Sequence, residues 1–307
     1  MKTHKLIHAK TQVAGRSLVE LLIAITIGLF ILIAVSALFL SNSQTSRTSD
    51  DKSRLEDEGR LALNLIAFHL RMAGYGQLLT ADYKNDAFQA GTTFTSPTGL
   101  AKDSIDPVQG CVGGFANPSA ATIACTGSAT PDALAIRYFI DFFNGNITNS
   151  GTPKPTDCLG QAVTAASSIV ENRFFIRTNP TTRRSELYCI GNGNTPDGAD
   201  FTGVAQPIAE NIVDLKLTFG AASAQGGQIV NDEYVDATNI SSNPNAILGS
   251  PWQRVLAVNV CLVAQSANDN VATRPVQYRD CAGQLVTAPD RRLYETFSSV
   301  VTLRSKT

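Results

Sequence analysis

Six cysteines, Cys111, Cys125, Cys158, Cys189, Cys261 and Cys281, are the residues best equipped for covalent chemistry, and all lie beyond residue 100. No two have the C-x-x-C spacing of a metal or redox pair, and no histidine lies near any of them. An even number in a stretch rich in Gly, Ser and Asn points to disulfides formed in an oxidising compartment. Of the connectivities open to them, the sequential set 111–125, 158–189 and 261–281 closes short loops, each where a strand-like segment meets a loop. Buried free thiols are the alternative.

Carboxylates form a second group. Asp132, Asp141, Glu171 and Glu186 are of the type used in a glycosidase-like acid–base pair, but nothing in the sequence shows that any two meet. Asn192, Asn194, Asp197 and Asp200 in GNGNTPDGAD offer the oxygen ligands that calcium takes. They lack the terminal Glu of an EF-hand, and Asn-Gly and Asp-Gly turns account for the same residues. Histidine narrows the chemistry further: His4, His8 and His69 are the only three. No residue after 70 can then serve as an imidazole base or a zinc-binding imidazole. We expect no catalytic residue, no metal and no cofactor.

One more acid is set apart by its surroundings. Glu20 heads LLIAITIGLFILIAVSALFL, residues 21–40, a run without charge, interrupted only by Thr26, Gly28 and Ser36. At about 1.5 Å per residue the run makes about 30 Å of helix, the thickness of a hydrocarbon core. A carboxylate at mid-bilayer costs roughly 2.5–3.5 kcal/mol. Near the end of the span the cost falls, and a helix N-terminus favours negative charge. Lys2, Lys5 and Lys10 precede the run, which predicts the leader inside and the remainder outside. A secretory signal peptide is the competing reading, but its apolar core is about 7–15 residues and ends in a small-residue cleavage site.

The elements that must position these residues follow from periodicity. Residues 50–76, DDKSRLEDEGRLALNLIAFHLRMAGYG, set Leu55, Gly59, Ala62, Ile66, Leu70 and Ala73 at steps of three and four. Leu61, Leu65, Phe68 and Met72 form an adjoining stripe, while Arg54, Asp57, Arg60, Asn64 and Arg71 fall mainly opposite. The pattern predicts an amphipathic helix with a wide apolar face. The link SNSQTSRTSDDKS contains no Pro or Gly, so a single helix over 17–73 is expected, stopped by Gly74 and Gly76.

From residue 77 the period changes to two. Strands are expected at 132–143, 172–178, 185–190, 211–220, 254–264 and 296–304. Val213, Leu215, Leu217 and Phe219 alternate with Asp214, Lys216 and Thr218 as in a half-buried strand. With no comparable helical period between them, the sheets should be largely antiparallel. Stretches 91–131, 144–168, 191–207 and 221–251, rich in Gly, Asn, Ser and Pro, read as surface loops. Trp252 reads as core, and the basic pairs Arg183-Arg184 and Arg291-Arg292 as solvated strand ends.

Charge excludes one class of partner. The whole chain carries −1 and its first fifteen residues +3, which leaves −4 for the rest and no case for nucleic-acid binding. Charged residues make up 17 %, below the roughly 25 % usual for globular chains.

The basic leader, the stretch GRSLVELLIAI and the amphipathic helix after it resemble the N-terminus of type IV prepilins. EGRLALNLIAFHLRMAGYGQ, DALAIRYF, AENIVDLKLTFG and RRLYETFSSVVTLR resemble the PilW family of minor pilins in particular. The resemblance implies a prepilin peptidase cut between Gly15 and Arg16, N-methylation of Arg16, and Glu20 at the fifth mature position as an assembly and register residue. There it pairs with the N-terminal amine of a neighbouring subunit. Two residues depart from the pattern: Arg16 stands where the family usually has phenylalanine, and the proline that many major pilins carry in this helix is absent.

The expected architecture is thus α+β and pilin-like. A leader (1–15) precedes a long N-terminal helix (16–75), transmembrane over 21–40 and amphipathic over 50–74. The helix packs on a disulfide-containing, largely antiparallel periplasmic β domain (76–307). The implied protein is no enzyme: it sits in the bacterial inner membrane and then at or near the pilus tip. There it primes assembly with other minor pilins and the major pilin, and supports twitching motility, adhesion and a tip adhesin. A minor pseudopilin of a type II secretion system is the nearest alternative, and a membrane-tethered periplasmic ligand-binding or carboxylate-based enzyme domain the more distant one.

Overall fold

The structure, a computed structural model, describes residues 17–75, 106–128, 131–139, 156–163, 169–193, 201, 203–225, 228–242 and 251–303. Helix α1 occupies Leu18–Met72 without a break, close to the expected 17–73. Its first turn closes on the Ser17 carbonyl, which accepts from the N–H groups of Glu20 (3.0 Å) and Leu21 (3.2 Å). Gly74 ends it in the left-handed region (φ 72°), where a residue without Cβ pays no steric penalty. The Gly74 N–H then donates to the Arg137 carbonyl at 2.9 Å, so the helix stop is also a joint to the sheet. Gly76 lies outside the described residues.

The chain divides into two compact units, Met1–Asp50 and Asp51–Thr307. The described part of the first is helix alone. Thr26, a hydroxyl inside its apolar run, is satisfied locally by donating to the Ile23 carbonyl at 2.8 Å.

The second unit holds two larger sheets, and every strand pair is antiparallel. Strands β1 (Val108–Cys111), β2 (Ala133–Phe139), β3 (Ile169–Thr178), β4 (Ser185–Gly191) and β5 (Gln206–Glu210) lie side by side in chain order. Strands β6 (Ile212–Gln225), β7 (Gln228–Val235), β8 (Val255–Gln265) and β11 (Tyr294–Thr302) form the other, in the order β11-β8-β6-β7. A hairpin of β9 (Gln277–Arg279) and β10 (Leu285–Thr287) stands apart, and a short helix α2 (Ala237–Ser242) follows β7.

All six expected strands are present, but the expected loops are only partly loops. β1 lies within 91–131, and β7 and α2 lie within 221–251. The alternation expected in β6 also shifts. A bulge between Ile212 and Asp214 turns Ile212 into the core and leaves Val213 half-buried, while Leu215, Leu217 and Phe219 keep their inward places.

One apolar core joins α1 to both sheets: Leu55, Ala62, Ile66 and Leu70 pack with Ile136, Phe174 and Leu187 and with Leu215, Phe219, Val258 and Leu262. The face expected on the helix is therefore the buried one. Its adjoining stripe is not: Leu61 and Phe68 stay exposed, and Leu65 and Met72 are half-buried. Trp252 is buried edge-on against Phe219, with ring centroids 5.0 Å apart.

Candidate functional site

Gly15 and Arg16 lie outside the described residues, whereas Glu20 stands in the first turn of α1, exposed. Around it nothing apolar is covered. Every large apolar side chain from Leu18 to Leu40 is exposed, from 51 % at Ile23 to 81 % at Leu18. Gly28, midway along, has open space where a Cβ would stand. The run is long and apolar enough to cross a membrane. Its uncovered surface is far too large to be left in water, since each buried apolar side chain gains about 1.5–3 kcal/mol.

The cysteines pair in chain order: Cys111–Cys125, Cys158–Cys189 and Cys261–Cys281. The first ties the end of β1 to the loop after it, and the second ties the loop before β3 to β4. The third clamps the β9–β10 hairpin to β8.

Polar groups buried in the sheet do structural work that the sequence left unread. Arg137 and Glu171 face each other across β2 and β3, and Arg173 follows two residues along β3. Glu171 accepts from Arg137 Nε at 2.8 Å and Arg173 Nε at 2.7 Å, and all three side chains are buried. Burial pushes the Glu171 carboxyl up, but the two guanidiniums outweigh it and hold the group below the usual carboxylate range. Arg173 also donates to the carbonyls of Pro118 (2.8 Å), Ala120 (2.6 Å) and Ala121 (3.3 Å), and its guanidinium lies 3.9 Å over the Phe201 ring. The triad thus clasps the loop that Cys111–Cys125 closes.

The other candidate carboxylates are occupied in the same way. Asp132 accepts from Leu217 N (3.0 Å), Gly113 N (3.3 Å) and Lys216 Nζ (3.4 Å), joining β6 to the loop after β1. Glu186 accepts from Asn179 Nδ2, Thr182 Oγ1 and the Tyr188 hydroxyl. Asp141 lies outside the described residues, as do Asn194, Asp197 and Asp200. Asn192 commits its amide to β3, donating to the Ile169 carbonyl (2.8 Å) and accepting from Glu171 N (3.0 Å). Among the described residues no three His, Cys, Asp or Glu side chains converge on a metal position. Arg292 differs from the solvated end expected of it. It donates to the carbonyls of Ser266 (2.9 Å) and Ala267 (2.6 Å), tying the start of β11 to the turn after β8.

Two further contacts help seat α1 on the sheets. His69, buried, approaches Asn172 of β3, and Gly59 lies against Phe297 of β11, where a Cβ would overlap the ring. Neither was legible from the chain, because each partner is more than a hundred residues away.

Comparison with known proteins completes the picture. A type IV-like pilin from Thermus thermophilus aligns with 82 % of this chain and 97 % of its own, at TM-score 0.40 and 10 % identity. No protein of curated function matches the sequence. Residues 173–305 match the model of the PilW family, described as Type IV Pilus-assembly protein W, the family that the helix and terminal segments resemble.

Proposed function

We propose that this chain is a minor type IV pilin of the PilW kind. Prepilin peptidase removes residues 1–15, and the new N-terminus at Arg16 is methylated. The apolar half of α1 anchors the protein in the inner membrane with its disulfide-bonded domain in the periplasm. There it joins other minor pilins to prime the fibre, and it stays at or near the tip. Association is driven by burial of the apolar half against like helices, and Glu20 sets the stagger by pairing with a neighbour's terminal amine. A charge pair in such surroundings selects register more than it adds stability.

The observation that carries this reading is the contrast along α1. Residues 55–73 bury their apolar row within their own domain, while residues 18–40 cover none of theirs. Mass spectrometry of the native protein should give an N-terminus at Arg16, and Glu20→Ala should stay in the membrane yet drop out of sheared fibres. A protein that begins at Met1, or a Glu20→Ala variant recovered normally in fibres, would overturn it. In a deletion strain twitching should be lost with secretion intact; the reverse would transfer the protein to type II secretion.

A further inference from the structure

Among the described residues β11 pairs only with β8, and so forms one edge of the four-stranded sheet. At the two ends of this pairing Ser266 N donates to the Leu293 carbonyl and Leu303 N to the Leu256 carbonyl, both at 2.8 Å. Hydrogen-bonded pairs alternate along an antiparallel ladder, so the odd-numbered residues of β11 turn their backbone groups to β8. The N–H and C=O groups of Ser298, Val300 and Thr302 point the other way and have no hydrogen-bond partner among the described residues. The Thr296 hydroxyl donates to the Arg279 carbonyl, so the β9–β10 hairpin stands over that end of the strand. Beyond it Ser298, Val300 and Thr302 are exposed, Val300 by 55 %.

An open row of backbone groups templates further pairing, and proteins blunt such edges with short strands, proline, charge or bulges. The other sheet edges carry these devices. β1 is four residues long, and at Gly110 it lies against Phe219 and Ala237. β5 contains Pro207 and ends in Glu210, and β7 is joined to β6 across a bulge between Ala221 and Ala222. β11 has none of them: residues 296–303 contain no charge and no proline, and the register with β8 is unbroken.

We propose that the 298–302 edge of β11 takes up one extended segment of a different polypeptide as a fifth strand, uncharged and with β-branched residues at alternate positions. Its backbone pairs with the outward groups of Ser298, Val300 and Thr302, and one of its side chains packs beside Val300. That the strand is foreign, and not the β11 of a second copy, rests on the membrane-anchored reading above. α1 runs in the same sense as β11: Asp51 accepts from Asn268 at 2.7 Å, near where β11 begins, and Gly59 lies against Phe297. Two β11 strands paired antiparallel would oppose their α1 helices, which subunits inserted in the same direction in one membrane do not allow.

The test is fluorescence anisotropy of the full chain in detergent with a labelled peptide, acetyl-Lys-Thr-Val-Thr-Val-Thr-Lys-amide, whose lysines serve only solubility. Val300→Pro removes an outward N–H at an edge position, where a strand tolerates proline, and Val300→Thr keeps that N–H. The expected result is one saturable site, weakened about tenfold or more by Val300→Pro and retained in Val300→Thr. The same peptide N-methylated at its five central residues should not bind the wild type, a control that leaves the protein unaltered. No saturable site, equal affinity of the proline variant, or equal binding of the N-methylated peptide would overturn the proposal. So would a dimer of the full chain, seen by sedimentation, that Val300→Pro dissociates, because it assigns the edge to a second copy. The peptide titration is indifferent to where the N-terminus is cut, so its failure and the failure of the pilin reading are separate outcomes.

Discussion

His69 Nδ1 lies 3.2 Å from Asn172 Nδ2, and this one spacing fixes the state of the ring. Asn172 Oδ1 accepts from Cys158 N at 2.8 Å, so the amide end turned to the histidine is its NH2. That NH2 also donates to the Tyr138 hydroxyl at 3.4 Å. Nδ1 must then accept, and the ring proton belongs on Nε2. Protonating Nδ1 would set N–H against N–H inside the joint between α1 and β3. Burial acts in the same direction, lowering the His69 pKa from 6.5 to about 4.

The sign of the pH dependence follows. The folded pKa lies below the unfolded one, so the stabilisation is complete above pH 6.5 and declines as pH falls from 6.5 to about 4. The full fall is worth about 3 kcal/mol. Urea unfolding of the wild type and His69→Gln at a series of pH values should show the wild type losing about that much more on acidification. Parallel curves would show that the ring is not held neutral.

Glu171→Gln leaves two buried guanidiniums facing an uncharged amide. Removing one partner of a buried ion pair costs about 3–5 kcal/mol. Glu186→Gln is the comparison, because the donors on Glu186 are neutral, and its cost should be nearer 1 kcal/mol. Thermal unfolding that ranks the two variants equally would remove the triad as the clasp of the 111–125 loop.

Gly59→Ala should destabilise the domain by about 1–3 kcal/mol, because the new methyl overlaps the Phe297 ring and the core must shift to admit it. The effect is a matter of space, so Phe297→Leu in the same background should recover part of the loss. If it recovers nothing, the penalty comes from something other than that contact.

A non-reducing peptide map should return three linked pairs, in the consecutive pattern of the structure. Replacing Cys158 and Cys189 by serine should cost about 3 kcal/mol in denaturant unfolding. Any crossed pair in the map would contradict the sheet registers, which hold Cys189 and Cys261 in separate sheets.

The apolar row Ala62, Ile66, Leu70 was readable because a helix repeats its environment every three to four residues, and one face meets one core. The width of that face was not, since Leu61 and Phe68 are equally apolar yet stay exposed. Val213 defeated the alternation for a local reason, a bulge that leaves no mark in composition. β1 and β7 were hidden by Gly, Asn and Asp in short segments, where pairing with a long neighbour outweighs weak propensity. The burial of Glu171, Asn172 and Arg173 depends on β2, on the 111–125 loop and on α1. No reading of β3 by itself supplies those partners.

The six cysteines are joined two by two in chain order, first to second, third to fourth and fifth to sixth. When the domain of such a polypeptide passes into an oxidising space starting from its helix end, every thiol meets its native mate before the following pair appears. An oxidase that couples thiols in order of arrival therefore produces the finished set directly. Coupling in that order leaves no mispaired sulfurs for an isomerase to reshuffle, and a chain stalled part-way would carry only correct links.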